Sequence, residues 1–211
     1  MASNNIFTFA SQEDVTAKMG WRNHADPVID GKLYLGNLTT ASTPQGLHER
    51  KITHIVSVCH DPIPAHHPQS GYVIHKIPVR DEPTEDLLIH LPAACHFIHT
   101  AMNTPGAVVL VHCVQGLSRS ACVVAAYLMW SRRMSATDAL TVLRQGIFIY
   151  CLFSIWLNPS FQEQLVLFEA CRYNPNPNEG IYVKWRFQLE EARRRIAAQA
   201  AGTSGSYNRS G

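Results

Sequence analysis

Short apolar runs alternate with longer periodic stretches along this chain, and the alternation sets the predicted elements. Ala107-Val108-Val109-Leu110-Val111 is short and β-branched, the composition of a buried strand. Just beyond it, Ala121 to Trp130 is apolar throughout and long, the composition of a buried helix. Further strands are expected at Val28-Ile29, Leu33-Tyr34-Leu35-Gly36, 52–58 and 72–79, with Asp30-Gly31 as a tight turn between the first two. Pro44 to Arg50 is a short helix. Glu85 to Asn103 is a longer one, with Leu87, Leu88, Leu91, Ile98 and Met102 on its apolar side and a bend expected at Pro92. Ser135-x-x-Asp138 resembles a capping box and opens a helix through about Gln145. Asn158-Pro159-Ser160 opens another, to about Arg172, with Asn158 or its neighbour as cap.

Strand and helix in alternation predict an α/β domain with a central, mostly parallel sheet flanked by helices. In such sheets ligands bind beyond the carboxyl ends of the strands. Two loops lie at such ends: residues 112–120 after the 107–111 strand, and the loop after the 72–79 strand that carries Asp81. Two distant segments are therefore expected to converge on one pocket. The domain is expected to occupy residues 25–174. An irregular extension (1–24, with Trp21 packing back) precedes it. A linker and basic C-terminal helix (175–200) and a Gly/Ser-rich, disordered tail (201–211) follow. In the C-terminal helix Trp185, Leu189 and Ile196 form an apolar stripe to dock, and Arg193, Arg194 and Arg195 form a solvated basic end.

The 211 residues suffice for one domain with tails, and 46% hydrophobic content supports a full core. A net charge of +2 is too mild to argue for nucleic acid or an anionic membrane. No apolar run follows Met1, so no signal peptide is expected. The six cysteines, Cys59, Cys95, Cys113, Cys122, Cys151 and Cys171, form no Cys-x2-Cys pair and mostly sit in apolar surroundings. That favours buried thiols in a reducing compartment, cytoplasm or nucleus, over a disulfide framework or zinc site.

The stretch His112-Cys113-Val114-Gln115-Gly116-Leu117-Ser118-Arg119-Ser120 joins strand to helix. Helix N-termini present unpaired N–H groups and a partial positive charge, so this turn is suited to an anion. Gly116 lets the loop wrap tightly. Arg119 adds a planar fork for two phosphate oxygens. Backbone N–H groups of 114–119 complete the clamp, with Val114, Gln115, Gly116, Leu117 and Ser118 lining it. Cys113 lies at its floor, where those dipoles and Arg119 favour a thiolate, a nucleophile facing phosphorus. A bare Cys-x5-Arg is a weak signal, but the whole string in a strand-loop-helix setting is specific.

That string, followed by Ala126-Tyr127-Leu128-Met129, resembles the signature of the cysteine-based protein phosphatases and, within them, the dual-specificity phosphatases. The resemblance spans about residues 26 to 173 and shows no second, docking domain. It implies hydrolysis of phosphotyrosine and of phosphoserine or phosphothreonine through a phosphocysteine, with no cofactor and no metal. It places the general acid at Asp81, and Glu82 and Asp86 are the rival carboxylates. A solvated loop accounts equally for Glu82, and a helix cap or first-turn charge for Asp86. The resemblance also implies that the Ser120 hydroxyl eases departure of the thiolate, and that Asn158 braces the phosphate loop. Ser118 is expected to hold the loop through local bonds. Adjacent strand residues face opposite ways, so His112 is expected to order the loop from behind, not to act as a base.

The other histidines lack Asp or Cys partners at ligand spacing, which speaks against a metal site. One segment departs from the family pattern. At 146–157 a short basic, Pro-containing link is usual, but here stands an apolar run from Gly146 to Leu157, too short to span a bilayer. A buried connector, a partner-binding patch and an insertion foreign to the protein all fit it. Three alternative functions stay open: a phosphoprotein-binding module lacking catalysis, a phosphoinositide, RNA 5′-phosphate or phosphoglucan phosphatase, and an interaction protein working through 146–157 and the basic helix.

Overall fold

The computed structural model describes residues 25–29, 31–148, 155–178 and 180–204, with the backbone alone at 146–148 and 200–204. The predicted extension 1–24 with Trp21, residues 149–154 of the apolar run, and 205–211 of the tail lie outside the described residues.

Strands β1 (Ala25–Ile29) and β2 (Leu33–Gly36) form the expected hairpin, antiparallel, with Asp26 opposite Leu35. Strands β3 (His54–Ser57), β4 (Val73–Lys76) and β5 (Val109–His112) complete a five-stranded sheet in the order β1-β2-β5-β3-β4. Every pairing except β1 with β2 is parallel. Central β5 is buried on both faces, so its strand is an unbroken apolar run closed by His112.

A short helix not expected from the sequence, α1 (Leu38–Ser42), follows β2, capped by Asn37 Oδ1, which accepts from Thr40 N–H at 3.0 Å. Its Asn-Leu-Thr-Thr stretch carries a cap but is too short to show a period. Helix α2 (Pro44–Glu49) begins on Pro44 as expected. Both lie on the smaller side of the sheet, over Ile55, Ile63 and Leu110.

The larger side carries the main core under α3 (Leu91–Met102), α4 (Arg119–Arg132), α5 (Ala136–Phe148) and α6 (Pro159–Ala170). Helix α4 is buried from Arg119 through Met129, which explains a sequence apolar all round. At about 1.5–3 kcal/mol for each fully buried large aliphatic side chain, Val123, Val124 and Leu128 anchor the active loop's helix firmly.

Several expectations need correction. Pro92 does not bend a helix begun at Glu85. A turn of 3-10 helix (Leu88–His90) precedes α3, and Pro92 stands in its first turn, where a missing N–H costs nothing. Helix α5 runs past Gln145 to Phe148. The C-terminal helix α7 (Gly180–Ser204) buries Tyr182, Trp185 and Leu189, but Ile196 is 55% exposed. The docked stripe ends before it, because the domain surface under the helix stops there. The same helix continues to Ser204, beyond the expected start of the tail, since an Ala-rich run propagates helix readily. Among the described residues no helix is long and apolar enough to cross a membrane.

Candidate active site

Beyond β5 the chain folds into the 113–118 loop before entering α4. Cys113 is buried at its floor, 1% exposed. Its Sγ accepts from the Gly116 N–H at 3.2 Å and from Ser120 Oγ at 3.2 Å. Two donors therefore converge on one sulfur and fix its position at the base of the loop. Gly116 adopts φ +79°, and a Cβ there would lie 2.7 Å from the Gly36 carbonyl oxygen. Glycine is therefore required twice, for its backbone angle and for close approach to the end of β2. Leu38 N–H donates to the Val114 carbonyl at 3.1 Å and pins the other side of the loop.

Arg119 opens α4 and is 8% exposed. One guanidinium arm (Nη1) donates to the Val79 carbonyl at 3.2 Å, and Nε lies 3.6 Å from Asp81 Oδ2. That Nε has no hydrogen-bond partner although it is buried. A buried, charged donor without a hydrogen bond is costly, and the Asp81 carboxylate at 3.6 Å offsets only part of that cost. Asp81, 37% exposed by its side chain, thus meets the loop as the topology predicts. Its Oδ1 accepts from Ser118 Oγ at 2.8 Å.

Ser118 departs from its expected local role. Its hydroxyl reaches across the fold, donating to Asp81 and accepting from the Asn158 backbone N–H at 3.1 Å. Asn158 does meet the loop, but through its backbone. Its side chain caps α6, Oδ1 accepting from Ser160 N–H at 3.0 Å. Trp156, two positions earlier, is 70% exposed between buried Ile155 and Leu157.

His112 faces away from the pocket, as strand alternation requires. Its Nε2 lies 2.7 Å from Ser57 Oγ on neighbouring β3, and Ser57 Oγ lies 2.9 Å from His66 Nε2. Burial pushes the His112 pKa down to about 4, so the ring is neutral at physiological pH. Cys59, just past β3, is also buried, and burial pushes its pKa up to about 11. It is a packing thiol, not a second nucleophile.

The rival carboxylates separate cleanly. Glu82 is exposed and lies 3.8 Å from Arg80. Asp86 is buried, and its Oδ1 accepts from Ile89 N–H at 3.3 Å, the expected capping role. Its Oδ2 accepts from Tyr182 OH at 2.6 Å and pairs with Arg186 at 3.4 Å, links to α7 that the sequence did not reveal. Sequence reasoning also missed Gln164. It is buried and accepts from Leu87 and Leu88 N–H at 2.9 and 2.8 Å, and its Nε2 donates to the Glu85 carbonyl at 2.9 Å. A lone polar residue on the apolar face of a helix was the available signal. Histidines set aside as metal ligands serve in packing: His96 and His99 meet Trp130 edge-on, and His54 and His75 flank Phe97.

Comparison with known proteins bears on the same region. The family described as "Dual specificity phosphatase, catalytic domain" matches residues 33–171. Bovine dual specificity protein phosphatase 26 is 38% identical over 121 residues, 56% of this chain and 57% of that protein, so the match spans little more than half of the relative's length. The crystal structure of human DUSP28 superposes with a TM-score of 0.60 at 31% identity, covering 71% of this chain and 95% of that one. The crystal structure of DUSP15 gives 0.62 at 32% identity, over 81% and 97%.

Proposed function

The chain belongs to the dual specificity phosphatase family, and on that premise we propose that it hydrolyses phosphotyrosine and phosphoserine or phosphothreonine esters of proteins through a phosphocysteine at Cys113. The observation that carries this reading is the Cys113 sulfur, which accepts from Gly116 N–H and Ser120 Oγ inside a loop whose buried Arg119 keeps a donor, Nε, without a hydrogen bond.

In the first step the Cys113 thiolate attacks phosphorus. The phosphorus–oxygen bond to the leaving group breaks, and Asp81 gives that oxygen a proton. Loop N–H groups and the Arg119 fork hold the non-bridging oxygens, where charge spreads in the transition state. In the second step water attacks phosphorus and Asp81 takes its proton. The sulfur–phosphorus bond breaks, and Ser120 Oγ, 3.2 Å from Sγ, donates to the departing thiolate. Inorganic phosphate leaves. Arg119, Asp81 and Ser118 stand in one connected group, so the residues of both steps share a frame.

A thiolate nucleophile works in a reducing compartment, which supports the cytoplasm or nucleus as its location. Trp156, exposed beside Asn158, supports an apolar contact for a protein partner at this edge.

Phosphate release from a phosphotyrosine and a phosphothreonine peptide, a phosphoinositide and a 5′-triphosphorylated RNA tests the reading. Turnover of both peptides is expected. Turnover of the lipid or RNA alone overturns the protein-substrate reading. Peptide binding without turnover by folded protein makes this a binding module.

A further inference from the structure

Helix α7 begins after the last residue of the family match, at 171, yet it reaches back to the segment that carries Asp81. Tyr182, Trp185 and Leu189 recur at helical spacing and join the main core. Along the same side of the helix, Tyr182 OH donates to Asp86 Oδ2 at 2.6 Å and Arg186 lies 3.4 Å from that oxygen. Arg186 is itself held by Glu190, at 3.4 Å and one turn on. Further along, Arg193 Nε donates to the Thr84 carbonyl at 2.8 Å. Arg193 is therefore not part of the solvated basic end expected from the sequence. It is half-buried and spent on the loop, while Arg194 and Arg195 are exposed.

Residues 81–86 have little regular structure of their own, a single turn closed by Glu85 N–H to the Glu82 carbonyl at 3.1 Å. Ser118 and Arg119 hold Asp81 from the loop side. On the far side Gln164 grips the Glu85 carbonyl, and α7 grips Thr84 and Asp86. We propose that α7 is a positioning strap for the acid segment: Arg193 on Thr84, with Tyr182 and Arg186 on Asp86, sets where Asp81 meets the leaving oxygen. This rests on the assignment of Asp81 as the general acid. The three α7 residues act through the segment and not on the reacting atoms: Arg193 holds the Thr84 carbonyl, and Tyr182 and Arg186 hold the Asp86 carboxylate. A misplacement of even an ångström in a proton donor is costly to the step it serves.

The test separates proton delivery from folding. Phenyl phosphate has a poor leaving group that needs the acid, and p-nitrophenyl phosphate has a better one that needs it less. The ratio of their kcat values does not depend on how much of a preparation is folded. In the full chain, Arg193→Met and Tyr182→Phe are expected to lower the phenyl-to-nitrophenyl ratio about fivefold, with Arg193→Lys restoring part of it. Asp81→Asn is expected to lower it further. Variants that lose both activities in equal proportion, or neither, while Asp81→Asn shifts the ratio, overturn the strap and leave the acid in place. An unchanged ratio in Asp81→Asn removes the acid assignment itself, and the strap with it.

Discussion

The Ser118 hydroxyl donates to Asp81 Oδ1 at 2.8 Å, joining residues that stand on different loops of the chain. Ser118 Oγ in turn accepts from the Asn158 N–H, so one small side chain ties the phosphate loop, the acid loop and the start of α6 together. Ser118→Ala removes both bonds and leaves a partly buried N–H without a partner. Its kcat on phenyl phosphate is expected to fall roughly tenfold, with a smaller fall on p-nitrophenyl phosphate. Steady-state kinetics on the two esters check this, and equal rates for variant and wild type would remove Ser118 from the site's frame.

Ser120 Oγ and Cys113 Sγ meet at 3.2 Å, a contact that matters most in the second step, when the thiolate departs. Ser120→Ala is expected to slow phosphocysteine breakdown more than its formation. Rapid-quench kinetics with p-nitrophenyl phosphate then shows a burst of nitrophenol close to one equivalent of enzyme, followed by a rate reduced about tenfold or more. A slow first turnover without a burst would place the hydroxyl's effect on attack instead.

Gly116→Ala sets a methyl group against the Gly36 carbonyl and a side chain on a left-handed backbone. The loop must shift to relieve it, at a cost of about 1–3 kcal/mol in stability. Urea unfolding should show that loss together with a fall in kcat larger than that of any surface change to the same loop. A fully stable, fully active variant would mean that the loop tolerates another path.

Burial lowers the His112 pKa from 6.5 to about 4. Between these values the unfolded chain binds a proton that the folded one does not. Stability is therefore complete above about pH 6.5 and declines as pH falls toward 4, by on the order of 3 kcal/mol for this group. Burial lowers the pKa of His54, His66, His75 and His90 as well, so they add loss of the same sign. Urea midpoints at about pH 7.5 and pH 5 are expected to drop steeply for wild type and less for His112→Gln. Equal drops would mean that His112 does not titrate in this window.

What the sequence made legible is local. Residues 112–120 are contiguous, so their strand-loop-helix setting and their donors are visible in the string itself. That the loop carrying Asp81 meets the 112–120 loop was legible because a parallel sheet gathers its loops at one end, while the choice of Asp81 as acid came from the family resemblance. The His112–Ser57–His66 chain was invisible, because it depends on β3 lying beside β5 with Ser57 opposite His112. Gln164 looked like any polar residue on a helix, and its worth comes from three bonds to a loop nearly eighty positions away in sequence. Asp86 read as a cap, which it is, but its second oxygen belongs to α7. Ile196 and Arg193 exchanged their expected places because helical spacing gives a face without saying how far the underlying domain extends.

The most direct test of Cys113 as nucleophile and Asp81 as acid is phosphate release from an aryl phosphate between about pH 5 and pH 8 in wild type, Cys113→Ser and Asp81→Asn. Cys113→Ser is expected to be silent across the range. Asp81→Asn is expected to be slower by about a hundredfold. Hydrolysis at the wild-type rate by Cys113→Ser would contradict the account.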